Sequence, residues 1–438
     1  MRPQPLAIES PFEKEDVFFS KTDTKGIIAY GNKIFYDTAK YTPAELIGKP
    51  HNIVRHPDMP KAIFKLLWDY IKADKPFAGY VKNLAKDGSF YWVFAIVFPL
   101  YEGKKKEGYL SVRIKPTTKY FDIARSLYEK MRKLEASGES AEAFLSDGLA
   151  QLGYKSYDTF MIDALMAEFK DKEEHFHIDL GEKILHYPRM RTIYENCKAA
   201  ESIYEAMYEK IAFYLDLSTM LEEKFTYIYQ MTDDLSLIAL NSSIESHKIG
   251  SMGASFAVVS NEIKKDSERI GRHIVELRKN IDTSVTTIKE SVLYLLSLNI
   301  QIFAILYYMQ ETIVHQSCNE GECMDKVRDF IAVIRSSTQK VAELVKQLES
   351  DLNLTLTYIG KIERLIKELH YIQVNGLIES SKLQDEKFSI IFNQVQNLVS
   401  DTTATLEEII PAVKTSIRYT GDIRANINEA RYYLDNIR

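Results

Sequence analysis

The residues best suited to chemistry cluster near the front of the chain. Arg55, His56 and Asp58 lie in the stretch HNIVRHPDMP, residues 51–60, and Trp68, Asn83 and Tyr91-Trp92 follow. Arginine presents a rigid fork of donors to phosphate or carbonyl oxygens. Tryptophan and tyrosine add flat, largely apolar faces. Together they suit a planar ligand with polar edges. The same residues also suit plain structure. An Arg-His-Pro-Asp turn can knot a loop with hydrogen bonds. Trp68 falls at core spacing from Ile63 and Leu67, and Tyr91-Trp92 can be ordinary strand packing.

Other clusters carry less. Glu173, Glu174, His175, His177 and Asp179 look metal-like by composition. Side chains two apart, however, do not share a helix face. Cys318 and Cys323 flank Gly321, but no His pair completes a zinc set, so they read as free thiols in a connecting loop. Cys197 reads as buried. No P-loop, nucleophile elbow or kinase motif is present. The expectation is a protein with no catalytic residues, no metal and no enzymatic activity.

The elements that must position these residues follow from composition. The chain has 438 residues, 45% of them hydrophobic, with only 18 Gly, 12 Pro and 3 Cys. That length suits two or three domains. So few turn residues require long uninterrupted elements, and long helices meet that need. Three cysteines exclude a disulfide-built secreted scaffold. The start MRPQPLAIESPFEKED has no apolar signal region, so a cytoplasmic location is expected. The net charge of −6 divides unevenly: residues 1–120 hold 20 Lys/Arg against 13 Asp/Glu, and the rest is acidic. The basic front could hold an anionic cofactor but is too diffuse for nucleic acid. Lys104, Lys105 and Lys106, beside Gly103, read as a solvated turn.

Short apolar runs bounded by turn residues fill the front. Val17 to Phe19 and Ile27 to Tyr30 flank the turn at 23–26 as a hairpin. Thr42-Pro43 to Gly48 reads as a short capped helix and 60–72 as another. Asp87-Gly88 marks a second hairpin, and Tyr91 to Leu100 and Gly108 to Ile114 read as the last strands. A helix-interrupted antiparallel sheet results, and such sheets often keep a pocket.

This order of elements resembles a PAS sensory domain. HNIVRHPDMP, Trp68, Gly79 to Asn83 and Gly88 with Tyr91-Trp92-Val93 are similar to the flavin-binding PAS domain of bacterial aerotaxis receptors, over roughly residues 15–120. That resemblance implies noncovalent FAD whose redox state is read. It implies that Arg55, His56 and Asp58 shape the flavin site, and that Trp68 packs near the ring. Asn83 would lie on the facing strand, with Trp92 contributing. Phe77 departs from the family, where Trp is frequent.

The rear is helical and repeats. After Pro188 only Pro411 remains. Ile263, Ile270 and Leu277 lie seven apart; so do Ile274, Ile281, Ile288 and Leu295. Val327, Ile334, Val341 and Leu348 continue the pattern, as do Val345, Leu352, Ile359 and Ile366. Sustained sevens mean coiled-coil-like packing. Residues 292–309 approach the length of a membrane span, but Ser297, Asn299 and Gln301 favour a buried bundle helix over a span.

Residues 235–268 resemble the hairpin tip of the chemoreceptor (methyl-accepting chemotaxis protein) signalling domain. Leu240-Asn241, Ile244-Glu245, Gly250, Gly253, Phe256 to Val259 and Glu262 fit in order. The resemblance implies that Glu245, Lys248, Gly250, Gly253, Phe256 and Val259 contact the chemotaxis histidine kinase and its coupling protein. Lys248, Ser251 and Ala254-Ser255 depart from the family, where Arg, Glu and Arg-Gly are usual.

The tip motif occurs twice. Asn241-x-x-Ile244-Glu245-Ser246-x-Lys248 recurs as Asn375-x-x-Ile378-Glu379-Ser380-x-Lys382, and Phe256 and Asn261 recur as Phe388 and Asn393. Four arms of roughly 60 residues would each span about 90 Å. The expected fold is an α+β PAS domain (1–120), a helical connector (121–188) and an all-α antiparallel four-helix coiled-coil bundle (189–438). The bundle consists of two tandem hairpins with bends near 250 and 384. One chain would supply both hairpins as a pseudo-dimeric monomer, or join a homo-oligomer. The expected function is a redox- or oxygen-sensing transducer for aerotaxis or energy taxis. The alternative is a non-enzymatic PAS-containing scaffold with a vestigial tip.

Overall fold

A computed structural model of the chain describes residues 3–172, 178–315, 320–383 and 386–437. The front folds as β1 (Phe18–Asp23), β2 (Ile28–Gly31), α1 (Lys33–Ala39), α2 (Pro43–Leu46), α3 (Lys61–Lys72), β3 (Phe77–Leu84), β4 (Phe90–Glu102) and β5 (Lys105–Ile114). The sheet order is β2-β1-β5-β4-β3, antiparallel throughout. Both expected hairpins form, as β1–β2 and β3–β4. Helix α1 escapes the sequence reading because seven residues are too few to show a helical period. It is anchored through Asn32, whose amide accepts the Phe19 N–H at 2.9 Å and donates to the Val17 carbonyl at 2.8 Å. Lys105 and Lys106 belong to β5, not to a solvated turn. Lys106 donates to the Ile71 carbonyl at 3.2 Å and pairs with Asp74, tying the end of α3 to the sheet.

Residues 121–188 fold against this sheet as α4 (Lys119–Ser137), α5 (Ala141–Gln151) and α6 (Tyr157–Lys172). Tyr157 donates its hydroxyl to the Ala78 carbonyl at 3.0 Å. The strand exit after β5 is held by one carboxylate. Glu168 accepts from the Thr117 N–H (3.0 Å), the Thr118 hydroxyl (2.8 Å), the Tyr80 hydroxyl (3.0 Å) and the Lys172 ammonium (2.8 Å). Both side chains of the Glu168–Lys172 pair are fully buried. The metal-like cluster at 173–177 lies outside the described residues.

Four long helices complete the chain: α7 (Pro188–Lys248), α8 (Ala254–His315), α9 (Glu320–Leu383) and α10 (Glu386–Asp435). Every heptad position named above is buried. The apolar window of α8 is 89% buried, and α8 alone among the described helices is long and apolar enough to cross a membrane. Cys197 is buried as expected, but Cys323 is buried inside α9 and not in a loop; Cys318 lies outside the described residues.

The chain divides into two compact units. The first holds residues 1–208, 292–342 and 426–438. Within it, the 292–342 helices pack on β1 and α1. Phe19 meets the rings of Tyr308 and Phe330 edge-on, each at 5.0 Å. Lys21 pairs with Asp329 at 2.9 Å, and the Tyr30 hydroxyl donates to Asp329 at 2.8 Å. Glu311 accepts the Lys33 and Ile34 N–H groups at the start of α1, at 3.3 and 3.1 Å.

The second unit holds residues 209–291 and 343–425. Its contacts run in opposite senses along neighbouring helices. Ser267 bonds the Thr232 carbonyl (2.8 Å) and Ser260 bonds Ser242 (2.6 Å), joining α7 to α8. Arg269–Glu368 (3.0 Å) and Asn280–Thr355 (2.8 Å) join α8 to α9. Lys210–Asp422 (3.7 Å) and Lys224–Glu408 (2.5 Å) join α7 to α10. This is an antiparallel four-helix arrangement. The first bend is a 3-10 turn, Gly250–Gly253. It requires its glycines: Gly250 has φ +63°, and a Cβ on Gly253 would sit 1.9 Å from the Ser246 carbonyl oxygen. The second bend, near 384, falls on residues outside those described; its flanking helices end at Leu383 and begin at Glu386.

Candidate ligand cavity and signalling tip

A cavity of about 220 Å³ opens between the sheet and helix α3. Strand alternation decides its lining. Val81 and Asn83 on β3, Ala95 and Val97 on β4, and Tyr109, Ser111 and Arg113 on β5 all face it. From the helical side come Arg55, Phe64 and Trp68, with His51 at the adjoining 3-10 turn. Trp68 packs edge-on against Tyr109 at 5.7 Å. The Arg55 guanidinium sits over the Phe64 ring at 3.8 Å. Asn83 is buried, and its side chain has no hydrogen-bond partner among the described residues.

Of the six cofactor residues expected from sequence, Arg55, Trp68 and Asn83 line this cavity and three do not. Trp92 sits on the even-numbered face of β4, paired with Lys82, and therefore points through the sheet to the other side, against Phe121 at 5.2 Å. His56 is buried, and its Nδ1 accepts the Asp58 N–H at 3.1 Å. Burial and the Lys82 charge push the His56 imidazole down to about 4. Asp58 turns outward and pairs with Lys82 at 2.9 Å. His56 and Asp58 thus knot the loop that presents Arg55.

The residue that sequence reasoning missed is Arg113. It is buried, and its Nη2 donates to Ser20 Oγ and to His51 Nε2, both at 2.7 Å. Among the described residues its Nη1 has no hydrogen-bond partner, and neither has the buried hydroxyl of Ser111 two residues earlier. No carboxylate among the described residues lines the cavity. Burial draws Arg113 down to about 10, so it stays charged at neutral pH. His51 is pushed down to about 3, first by burial and then by Arg113. Its Nε2 is therefore a neutral acceptor, with the proton on Nδ1. A buried cation lacking a counter-ion is costly unless something fills the space. The cavity suits a ligand bearing carbonyl or anionic oxygens on a flat apolar body.

Strand β1 joins this cavity to the helices. Ser20 and Thr22 face inward, and Phe19 and Lys21 face Tyr308, Phe330 and Asp329.

At the tip, Glu245 pairs with Lys248 at 2.7 Å and with Lys387 at 3.3 Å. Phe256 is fully buried and stacks on Phe388 with centroids 3.9 Å apart. These are equivalent residues of the two repeats, so the repeats meet face to face as related halves of one bundle. Phe256 and the buried Gly253 therefore hold the tip together and are not open to a partner. Gly250 and Lys248 are exposed; Val259 is half-buried. The exposed apolar surface lies elsewhere. Leu237, Leu240, Ile244 and Val258 are exposed, and so are their repeat equivalents Tyr371, Val374, Ile378 and Ile390. The repeat offset was the sequence signal for this pairing.

The PAS fold family matches residues 28–113. The aerotaxis receptor of Escherichia coli is 38% identical over 122 residues, covering 28% of this chain and 24% of that receptor. The chain thus matches about a quarter of that relative's length. Biofilm dispersion protein BdlA of Pseudomonas aeruginosa is 23% identical over 337 residues, covering 76% of this chain and 68% of that protein. Methyl-accepting chemotaxis protein McpC of Bacillus subtilis is 41% identical over 64 residues, 14% of this chain and 10% of its own. One of the three is named as a receptor for aerotaxis and one as a chemotaxis protein, and none as an enzyme. The chain joins a PAS domain homologous to that of the aerotaxis receptor to a chemoreceptor-like helical region.

Proposed function

We propose that this protein is a chemotaxis-type signal transducer whose PAS cavity holds FAD and reads its redox state. The observation that carries the cofactor is the buried Arg113 without a carboxylate, its Nη1 and the Ser111 hydroxyl both unpartnered at the cavity. Arg113 and Ser111 would meet polar edge atoms of the ring, Asn83 would supply an amide, and Trp68 would cover an apolar face. A bound flavin supplies reversible reduction, with a change of charge and protonation at its ring. Arg113 answers such a change through Ser20 and His51. Ser20 shares β1 with Phe19 and Lys21, so a shift at the cavity reaches Asp329, Tyr308 and Phe330 within one strand. Transmission requires contacts that differ between the two ligand states.

The output is the helical tip, read as a site for the chemotaxis histidine kinase and its coupling protein. The exposed stripes at 237–258 and 371–390 support that reading, since contiguous exposed apolar residues mark interaction surfaces. The buried apolar window of α8 supports a bundle helix in a cytoplasmic protein. The test is capture of the purified kinase and coupling protein by oxidised and by reduced protein. The proposal expects capture or kinase control that changes with reduction. Identical behaviour in both states, or no capture, sinks it and favours a scaffold.

A further inference from the structure

The opposite face of the sheet carries a second concavity, of about 700 Å³, between β3–β4 and helix α4. It shares no lining residue with the Arg113 cavity. One wall is aromatic. Trp92 is half-exposed there, with Phe121 edge-on at 5.2 Å and Tyr128 stacked at 6.4 Å. The other wall is cationic. Arg125, Arg132 and Lys133 project from α4 at positions seven and eight apart, on one helix face. None of the three has an ion-pair or hydrogen-bond partner among the described residues. Asp58, on the rim, pairs with Lys82 and lies within the field of Arg132, and no ion pair joins Glu9 or Glu129 to these cations among the described residues. Five cationic side chains line the groove against three carboxylates.

Helix-on-sheet packing alone accounts for Phe121 and Tyr128. It does not account for three unpaired cations converging beside a half-exposed tryptophan. A flat ring stacks on an indole face. Guanidinium forks match phosphate oxygens.

We propose that this groove is a second ligand site, taking a small planar anion of the nucleoside phosphate class. The ring lies against Trp92 and the phosphates meet Arg125, Arg132 and Lys133. The site stands independently of flavin in the other cavity.

The chain has two tryptophans, Trp68 and Trp92, and only the second lines this groove. A full-length Trp68→Phe variant therefore reports the groove through Trp92 fluorescence. Titration with ADP should give a saturable change that weakens as salt rises. Adenosine, lacking phosphates, should bind at least about tenfold more weakly. Arg125→Glu with Arg132→Glu, the first at an exposed and the second at a half-buried position of α4, should weaken ADP to the same degree and leave the circular dichroism spectrum unchanged. Three results overturn the proposal: no saturable change up to about 1 mM ADP, equal affinity for adenosine and ADP, or unchanged affinity after the double charge reversal.

Discussion

Arg113 shows why residue-level reading reached only part of the cavity. Ser111 and Arg113 alternate with Leu110 and Val112, a pattern that normally marks a solvent face. Here residues 108–114 are all buried, and the polar face looks into the cavity. Arg55, Trp68 and Asn83 were legible through family resemblance; Trp92 was misplaced because its strand face depends on register. If Arg113 holds the ligand, Arg113→Met keeps the side-chain bulk while removing the fork. It should lower FAD affinity by at least about tenfold, the worth of a charged hydrogen bond. FAD retention through gel filtration, with circular dichroism as the folding control, measures this. Glu311 makes a second prediction at this scale. Burial raises its carboxyl from 4.5 to about 7, against the pull of the Lys33 and Ile34 N–H groups and the charges of Lys33 and Lys326. The folded state then binds more protons than the unfolded state between these values, so stability falls as pH rises through that window. The stability advantage of the wild type over Glu311→Ala should shrink from pH 5 to pH 8 in paired denaturation curves. A constant difference contradicts the assignment.

Among the elements, the two hairpins in the front followed from turn chemistry, because Asp87-Gly88 and the 23–26 turn dictate where the chain reverses, whereas the seven-residue α1 and the early start of β5 at Lys105 did not. Residues 121–188 yielded only helical character. Their role depends on Glu168, fifty residues from the threonines it binds, and no local pattern announces such a contact. The Glu168–Lys172 pair clamps the strand exit to α6. Lys172→Met leaves a buried carboxylate without its cation and should cost about 3–5 kcal/mol. Glu168→Gln added to Lys172→Met should recover part of that loss, since the amide carries no charge. Chemical denaturation of the two variants decides; equal stability of wild type and Lys172→Met contradicts the clamp.

Across the whole molecule, the repeat was the most informative sequence signal. Heptads established helices, but only the 134- and 132-residue offsets paired Phe256 with Phe388 and matched the two exposed stripes. Sequence could not tell which tip residues face inward, since family resemblance marks both core and contact positions. The two kinds separate experimentally. Phe256→Ala removes a buried stacked ring and should cost about 3–5 kcal/mol. Ile244→Asp, on the exposed stripe, should change stability by less than about 0.5 kcal/mol while weakening capture of the coupling protein. Denaturation and pull-down on the same two variants test this; a destabilised Ile244→Asp, or unimpaired capture, contradicts it.

Whether the Arg113 cavity holds a redox-active flavin is decided by the visible absorption spectrum of the purified protein. The protein should be yellow, or become yellow on adding FAD, and its blue absorption band should bleach on reduction and return in air. Colourless protein that takes up no added FAD contradicts it.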